Sequence, residues 1–477
     1  MSQLEWIVEA ILRRFEPSTT TITGIGFLVD AYVLFSINLV NNVLEKVYPD
    51  QADEFTISAI TSSVVVGTLI GQLLFGMVAD QLGRKLMFVT TMALVIVGTL
   101  GRVWRLILGV GLGGEYPLTA IITSEFFEND ANRGARIAGV FSLQGWGKLV
   151  APMILYLLLI VAGNNLDLVW RLALGLGAIP AFITFWPRLG MHETKAFMEE
   201  QRKNEPINWR SIFQVYWRKL LGTCSTWFLL DSVLYANGLF TGTLLETAGL
   251  SGNDGEMSQL MNDAKITMIV AFIGLPGHWL SIYLIDRWGR RTLQMWGFAL
   301  MTVLYMVLGG FFDWVTMFSP AFIFLYGLTY FIANAGPNTT TYVLPAEVFP
   351  TKIRSTCHGL SAACGKAGAA IGTIVMGPML EQWGVGVTLM VCGGVCAAGY
   401  LMTVLFVDET VGKTLEELSE EDDELTLLFP DPELADRLRR EERRLKLVFS
   451  RGNPDAADLD SAPLTRLGLT MDSAKLR

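Results

Sequence analysis

Twelve runs of predominantly apolar residues leave this chain few ways to fold. They lie near 21–42, 56–79, 86–101, 106–127, 135–162, 168–187, 219–244, 266–285, 292–312, 319–345, 356–380 and 385–407. Each is long enough, or nearly so, for the roughly 20 residues that a membrane-spanning helix requires. Backbone polar groups in lipid must be satisfied internally, so runs of this length read as helices. Charge is scarce: Asp, Glu, Lys and Arg make up 17% of the 477 residues, against about a quarter in a soluble protein. Much of it sits in the tail, where the 69 residues from Glu409 onward hold 17 acids and 11 bases. The net charge of −9 is therefore mostly a property of the tail and not a clue to a substrate. A soluble enzyme and a nucleic-acid binder are excluded, and an all-α polytopic membrane protein is expected.

Basic residues orient the runs. Arg84/Lys85, Arg133/Arg136, the 188–219 segment, Arg287/Arg290/Arg291 and Lys352/Arg354 fall in alternate loops, while the opposite loops hold only Lys46, Arg102, Arg105 and Lys265. The excess of positive charge on the inner face then places both termini in the cytoplasm. Glu5, Glu9, Arg13, Arg14 and Glu16 break up the first twenty residues, so no cleavable leader is expected. The five cysteines all lie within apolar runs, which argues against a disulfide framework or a metal site. Five parts result: a cytoplasmic N-terminus (1–20), six helices (21–187), a central loop (188–218), six helices (219–407) and a charged cytoplasmic tail (408–477).

The two sets of six repeat one another. Gly76-x-x-x-Asp80-x-x-Gly83-Arg84 after span 2 is echoed by Asp286-x-x-Gly289-Arg290 after span 8. Glu125 and Arg133 after span 4 are echoed by Glu347 and Arg354, and Glu193-Thr194 by Glu409-Thr410. Three signals recurring in order mark an internal repeat, and two helical halves around a midplane site are a transporter architecture. Asp80 at a helix end beside Arg84 can pair with cations of a neighbouring helix, a lock that breaks and re-forms as the halves rock.

Charges at bilayer depth cost about 2.5–3.5 kcal/mol each on insertion scales and mark candidate functional groups. Here they are Asp30, Glu115, Lys148, Asp231 and Lys366. Three acids and two bases suggest pairing in a shared cavity; ion pairs that only hold helices together are the bland alternative. Trp227, Asp231 and Tyr235 recur at one-turn spacing and line one helix face. Span 10 carries Gly336-Pro-Asn338-Thr-Thr-Thr, a breaker followed by small donors, and span 11 offers Lys366 among small neighbours. One ammonium with several neutral donors reads as a site for a small oxyanion.

Gly76 to Lys85 resembles the loop signature of the major facilitator superfamily. Gly109-Val-Gly-Leu-Gly-Gly-Glu115-Tyr116-Pro117-Leu118, Trp227-Phe-Leu-Leu-Asp231-x-x-x-Tyr235, Gly336-Pro-Asn338-Thr-Thr-Thr and His358-Gly-x-Ser-Ala-Ala-x-Gly-Lys366 resemble motifs of its phosphate:H+ symporter family. The resemblance runs from about Thr23 to Glu417. It implies the twelve-helix fold of that superfamily as two six-helix halves, with phosphate bound at the midplane by Tyr116, Gln144, Trp227, Asp231, Tyr235, Asn338 and Lys366. It associates Asp30 and Glu115 with proton coupling, to which the chemistry of Asp231 adds a third acid. The loop residues Gly76, Asp80, Gly83, Arg84, Asp286, Gly289 and Arg290 are expected to form the cytoplasmic gating loops. The partners so implied are inorganic phosphate, protons and the lipid bilayer. A functional monomer in the plasma membrane is expected, with no cofactor or metal and the proton as co-transported ion.

Some residues depart from that family pattern. Glu115 replaces the usual Asp and resembles permeases for glycerophosphodiesters such as glycerophosphoinositol and glycerophosphocholine. Lys148 lies one turn beyond Gln144 where no charge is usual. Pairing of Lys148 with Glu115 is the preferred reading, a second cation for a larger or dianionic substrate the other. Val33 stands where an acid is usual. Span 3, Leu86 to Gly101, has sixteen residues, about 24 Å of helix, as though a segment were missing there. A glycerophosphodiester permease and a non-transporting phosphate-sensing receptor are the alternatives to proton-coupled phosphate uptake.

Several signals are discounted. Gly109-x-Gly111-x-x-Gly114 lacks the βαβ context of a dinucleotide site and reads as close packing of spans 4 and 5. Asn338-x-Thr340 is too deep for glycosylation, His278 reads as a packed histidine, and His192 and His358 lie near the cytoplasmic ends. Leu434 to Leu447 can form a basic amphipathic helix at the inner leaflet or a solvated tail.

Overall fold

The computed structural model describes residues 19–48, 54–100, 105–163, 165–203, 209–239, 241, 256–415 and 417–418. The charged tail beyond 418, the 434–447 stretch and the junction at 101–104 lie outside them. Residues up to 208 and from 216 to 418 form one compact unit, described below. Of the second unit, Trp209–Val215 with the chain from Ser419, the described part is the opening of one helix. Among the described residues all regular structure is helical.

The first half comprises α1 (Thr19–Val47), α2 (Glu54–Leu82), α3 (Arg84–Leu100), α4 (Arg105–Phe126), α5 (Arg133–Ala162), and α6 (Leu166–Gly175) with α7 (Ala178–Gly190). A short helix, α8 (Lys195–Lys203), lies in the central segment. The second half holds α9 (Trp209–Leu239), α10 (Glu256–Trp288), α11 (Arg290–Gly310), α12 (Phe312–Thr316), α13 (Ser319–Ala335), α14 (Pro337–Val343) and α15 (Arg354–Phe406). Gly384, at φ +75°, breaks the 53 residues of α15 near where spans 11 and 12 were expected to part. Gly336-Pro337 likewise divides span 10 into α13 and α14, because a residue preceding proline is driven from helical geometry. Eight described helices are long and apolar enough to cross a membrane, counting α6 with α7 as one and α15 as one. The third span is a 17-residue helix, short as the sequence suggests.

Large apolar side chains face outward in every part of the bundle, among them Val161, Ile183, Phe272, Trp314 and Ile374. So much exposed apolar surface is a lipid-facing belt. The protein is a multi-pass membrane protein.

Helix α4 is buried almost all round, from Leu108 to Glu125, which only small residues permit at close range. A Cβ on Gly109 would stand 2.3 Å from the Val64 carbonyl of α2, and one on Gly113 2.1 Å from that of Thr68. Gly111 meets Thr91 and Val95 of α3 in the same way. The glycine run is thus a packing surface, but its partners are spans 2 and 3, where span 5 was expected. The two halves meet along α5 with α10, where Gly145 abuts His278, and along α2 with α15, where Gly76 abuts Gly359.

The repeat has a shared device at one end. Gly83 (φ +104°) and Gly289 (φ +89°) sit in the left-handed region that glycine alone enters freely, immediately before α3 and α11. Glu193 accepts from the amides of Arg84 and Lys85, and Glu409 from those of Arg290 and Arg291. Each carboxylate caps a helix N-terminus, where orphan N–H groups favour negative charge. A Cβ at Gly83 or Gly289 would collide with the capping carboxylate.

Gly113→Val should lower the thermal unfolding midpoint of the purified protein, since overpacking costs about 1–3 kcal/mol. Gly139→Ala, with nothing within 4 Å of the added carbon, should leave it unchanged or raise it. Equal midpoints for the two variants would contradict the packing account.

Candidate functional site

Three glycines of α15 set the central geometry. Gly365, Gly368 and Gly372 let that helix close on Trp227, Phe228 and Ser232 of α9. Lys366 is thereby carried to the Asp231 face. Its Nζ lies 3.2 Å from Asp231 Oδ2 and donates to the Tyr235 hydroxyl at 2.6 Å. The same ammonium stands 5.1 Å from the ring centre of Tyr116 on α4 and 4.1 Å from that of Tyr235. Gln144 of α5 donates to the Tyr116 hydroxyl at 2.7 Å, leaving its own carbonyl oxygen without a partner. Lys366 and Asp231 are 4% and 2% exposed. Trp227 packs in one cluster with Tyr116 and meets His358 edge-on at 5.6 Å. Asn338 donates to Asn334 at 2.8 Å, within its own broken span. Five of the seven expected binding residues, from both halves, therefore meet at one point, with Trp227 packed beside them and Asn338 turned to its neighbour.

A second buried ion pair lies within the first half. Glu115 Oε1 sits 2.6 Å from Arg188 Nη1 and accepts from Thr91 Oγ1 at 2.5 Å. The guanidinium is fully buried, stacks 3.7 Å from the Phe88 ring centre, and occupies the room that Gly26 leaves on α1. Asp30 is within electrostatic reach of both partners, yet neither of its carboxylate oxygens has a hydrogen bond. The expected Glu115–Lys148 pair is not formed. Glu115 turns instead to the guanidinium, a flat, weakly hydrated cation better suited to a buried pair than an ammonium. Lys148 lies 4.8 Å from the ring centre of Phe35. Arg188 also does not belong to the solvated central loop that begins, on the sequence reading, at residue 188; it closes the last turn of α7.

At the basic end the halves are tied by two matching ion clusters. Arg84 bridges Asp80 (3.1 Å) and Glu125 (3.2 Å), and Arg354 of the other half reaches Glu125 at 3.3 Å. Arg290 bridges Asp286 (2.8 Å) and Glu347 (2.9 Å), and Arg133 of the first half reaches Glu347 at 2.9 Å. Asp80 accepts from the amides of Ser355 and Thr356, which open α15, and Asp286 from that of Ala135 in the first turn of α5. Each loop acid therefore caps a helix of the opposite half. Thr194 and Thr410 complete the repeat with hydrogen bonds to Glu125 and Glu347. Between these clusters and the site, Phe141 stacks on Tyr342 at 4.6 Å and Phe27 meets both rings edge-on, at 5.7 and 5.2 Å. Near the far end Asn42 of α1 donates to Asp263 of α10 at 3.4 Å. The central pair is enclosed.

The family model described as sugar (and other) transporter matches residues 19–214 and 191–421. Low affinity inorganic phosphate transporter 4 of Lotus japonicus is 33% identical, over 90% of this chain and 96% of its own. Inorganic phosphate transporter 1-11 of Oryza sativa subsp. japonica is 33% identical, over 88% and 90%. The chain belongs to the major facilitator superfamily, in its phosphate:H+ symporter family. The fold agrees: the proton:xylose symporter XylE bound to 6-bromo-6-deoxy-D-glucose superposes with a TM-score of 0.71, over 86% of this chain and 99% of that one, at 19% identity. The Lotus alignment spans 510 positions against the 477 residues here, so that relative carries segments this chain lacks.

Two residues outside the expected set matter to this family member. Arg188 escaped notice because a basic residue at a span end usually marks topology, and only the fold turns it inward. His358, expected near a helix end, is fully buried and hydrogen-bonds the Tyr342 carbonyl at 3.1 Å while bracing Trp227. Its spacing from Lys366, eight residues along the same helix, was the available signal.

Burial would raise the Glu347 carboxyl, but Arg290 and Arg133 outweigh it and hold it near 2. A depressed value stabilises above the ordinary glutamate pKa and is lost only as pH falls through about 2. The Glu347 contacts therefore add no pH dependence of their own between about pH 5 and 8, and thiol accessibility of a reporter cysteine at the basic end should be higher throughout that range in Glu347→Gln. For Arg188→Gln, removing one partner of a buried pair costs about 3–5 kcal/mol. Its thermal midpoint should fall, and Glu115→Gln/Arg188→Gln should recover most of the loss; a double variant no better than the single would contradict the pairing.

Proposed function

We propose that this chain is a secondary active transporter that moves inorganic phosphate together with protons by alternating access. The observation that carries the reading is the enclosed Lys366–Asp231 pair ringed by the hydroxyls of Tyr235 and Tyr116 and the amide of Gln144. An oxyanion entering here exchanges places with Asp231 at the ammonium, gains charge-assisted hydrogen bonds, and presents its own O–H to the freed carboxylate. The names of the relatives support phosphate as that oxyanion.

Proton coupling rests on Asp30, Glu115 and Asp231, with Arg188 as the cation that the first two share. Arg188 holds Glu115, while its Nη2 and Nε and both Asp30 oxygens have no partner. Protonating Glu115 frees the guanidinium to turn to Asp30 and shifts α1 against α4 and α7. The clusters at Glu125 and Glu347 must part for the basic end to open. No cofactor or enzymatic step enters this cycle. The unit is a monomer in the plasma membrane, with both termini and the basic end in the cytoplasm.

A glycerophosphodiester permease is less well supported than it was by the residues alone. Glu115, one of its two motives, is bound to Arg188. A sensing receptor is not favoured either, since the similar proteins are named as transporters.

In vesicles reconstituted with the purified protein, an inward proton gradient should drive uptake of labelled phosphate, and a sodium gradient should not. Asp231→Asn and Lys366→Ala should each reduce uptake at least 100-fold, on the order expected when a buried charged hydrogen-bond partner is lost. Monodisperse elution keeps misfolding apart from loss of function. Wild-type rates in either variant would refute the assignment, and competition by glycerophosphocholine would shift it to the permease.

A further inference from the structure

Lys148 belongs to no function assigned so far. It lies near the middle of the 30-residue α5, one turn beyond Gln144 and on the same face. A lysine at that depth ordinarily pairs with an acid or reaches for the interface. Lys148 does neither: among the described residues no carboxylate is within ion-pair distance of it. Its Nζ sits over Phe35 of α1, whose ring stacks on Tyr235 at 6.1 Å. That tyrosine accepts the hydrogen bond from Lys366. Asp231 and Lys366 are both within electrostatic reach of Lys148.

Lys366 and Asp231 pair with each other, so a protonated Lys148 adds a positive charge that no carboxylate among the described residues pairs with. An anion displacing Asp231 would meet two ammonium groups and one carboxylate. A singly charged oxyanion satisfies one of those cations; a doubly charged one answers both.

We propose that Lys148 is a second anion-binding cation of the central site and tunes it for a doubly charged tetrahedral oxyanion, hydrogen phosphate, over the singly charged dihydrogen form. This rests on the oxyanion reading given above. The titratable and charged groups that face Lys148 are Asp231 and Tyr235 from α9, Lys366 from α15 and His278 from α10, while α1 presents the Phe35 ring. His278 is fully buried with neither ring nitrogen hydrogen-bonded, so its titration must be separated from that of the ligand.

Calorimetric binding of inorganic phosphate to the full chain in nanodiscs, at pH 6 and pH 8, tests the idea with four proteins. Wild type should bind at least as tightly at pH 8, where the dianion predominates, as at pH 6. Lys148→Met should lose roughly 10- to 100-fold at pH 8, the span of one charge-assisted hydrogen bond, and little at pH 6. His278→Gln should keep the wild-type pH profile. Sulfate, a dianion at both values, should compete in wild type and fail in Lys148→Met. The proposal is overturned if Lys148→Met loses equally at both pH values or not at all, if sulfate competition survives in it, or if His278→Gln alone flattens the profile. Lys366→Ala distinguishes the two levels. Loss of binding there beside a Lys148→Met indistinguishable from wild type defeats only the Lys148 proposal. A wild type that binds no phosphate at either pH defeats the oxyanion reading and this proposal with it.

Discussion

The energetic problem of this protein is an ammonium and a carboxylate withdrawn from water, Lys366 and Asp231, 3.2 Å apart at the centre of a bundle. Desolvating two such ions costs more than their attraction reliably returns, and well-packed apolar residues in their place are often more stable. The pair is therefore a poor way to hold α9 to α15, which the glycines at 365, 368 and 372 already let close. It is a good way to hold a charge ready. The ammonium has a second hydrogen bond, to Tyr235, that does not depend on Asp231, so on the proposed reading an oxyanion could replace the carboxylate with most of the surroundings left in place.

The same logic of shared partners governs the basic end. Glu125 and Glu347 each take one arginine from their own half and one from the other, and Asp80 and Asp286 cap helices across the divide. Contacts of this kind are all made or all broken when the halves separate, which gives two discrete arrangements in place of a continuum. Arginine suits the role because its fork engages two carboxylates at once. The aromatic layer of Phe27, Phe141 and Tyr342 lies behind these clusters and seals the site with apolar contact that carries no directional penalty when it parts.

Much of this was legible in the residues. Apolar run length marked the helices, and three loop signals, each present twice, marked two halves, because the repeat is one of helix caps and of the ion pairs beside them. Lys366, Asp231 and Tyr235 were readable together since helical spacing places the latter two on one face. Partner choice was not readable. Whether Glu115 meets Lys148 or Arg188 depends on how α4, α5 and α7 are inclined, and on Gly26 leaving room for a guanidinium. For the same reason the α4 glycines were recognisable as a packing surface without revealing that α2 and α3, not α5, fill it. The partner of Asn338 was not readable either: its amide donates to Asn334, one turn back across the broken span.

A phosphate-bound map of the wild-type protein addresses the central claim most directly. The account predicts tetrahedral density within hydrogen-bonding distance of Lys366 Nζ, between the Tyr116 and Tyr235 hydroxyls, with Asp231 displaced from the ammonium or receiving a hydrogen bond from the ligand. Density at another place, with the Lys366–Asp231 contact intact, would contradict it.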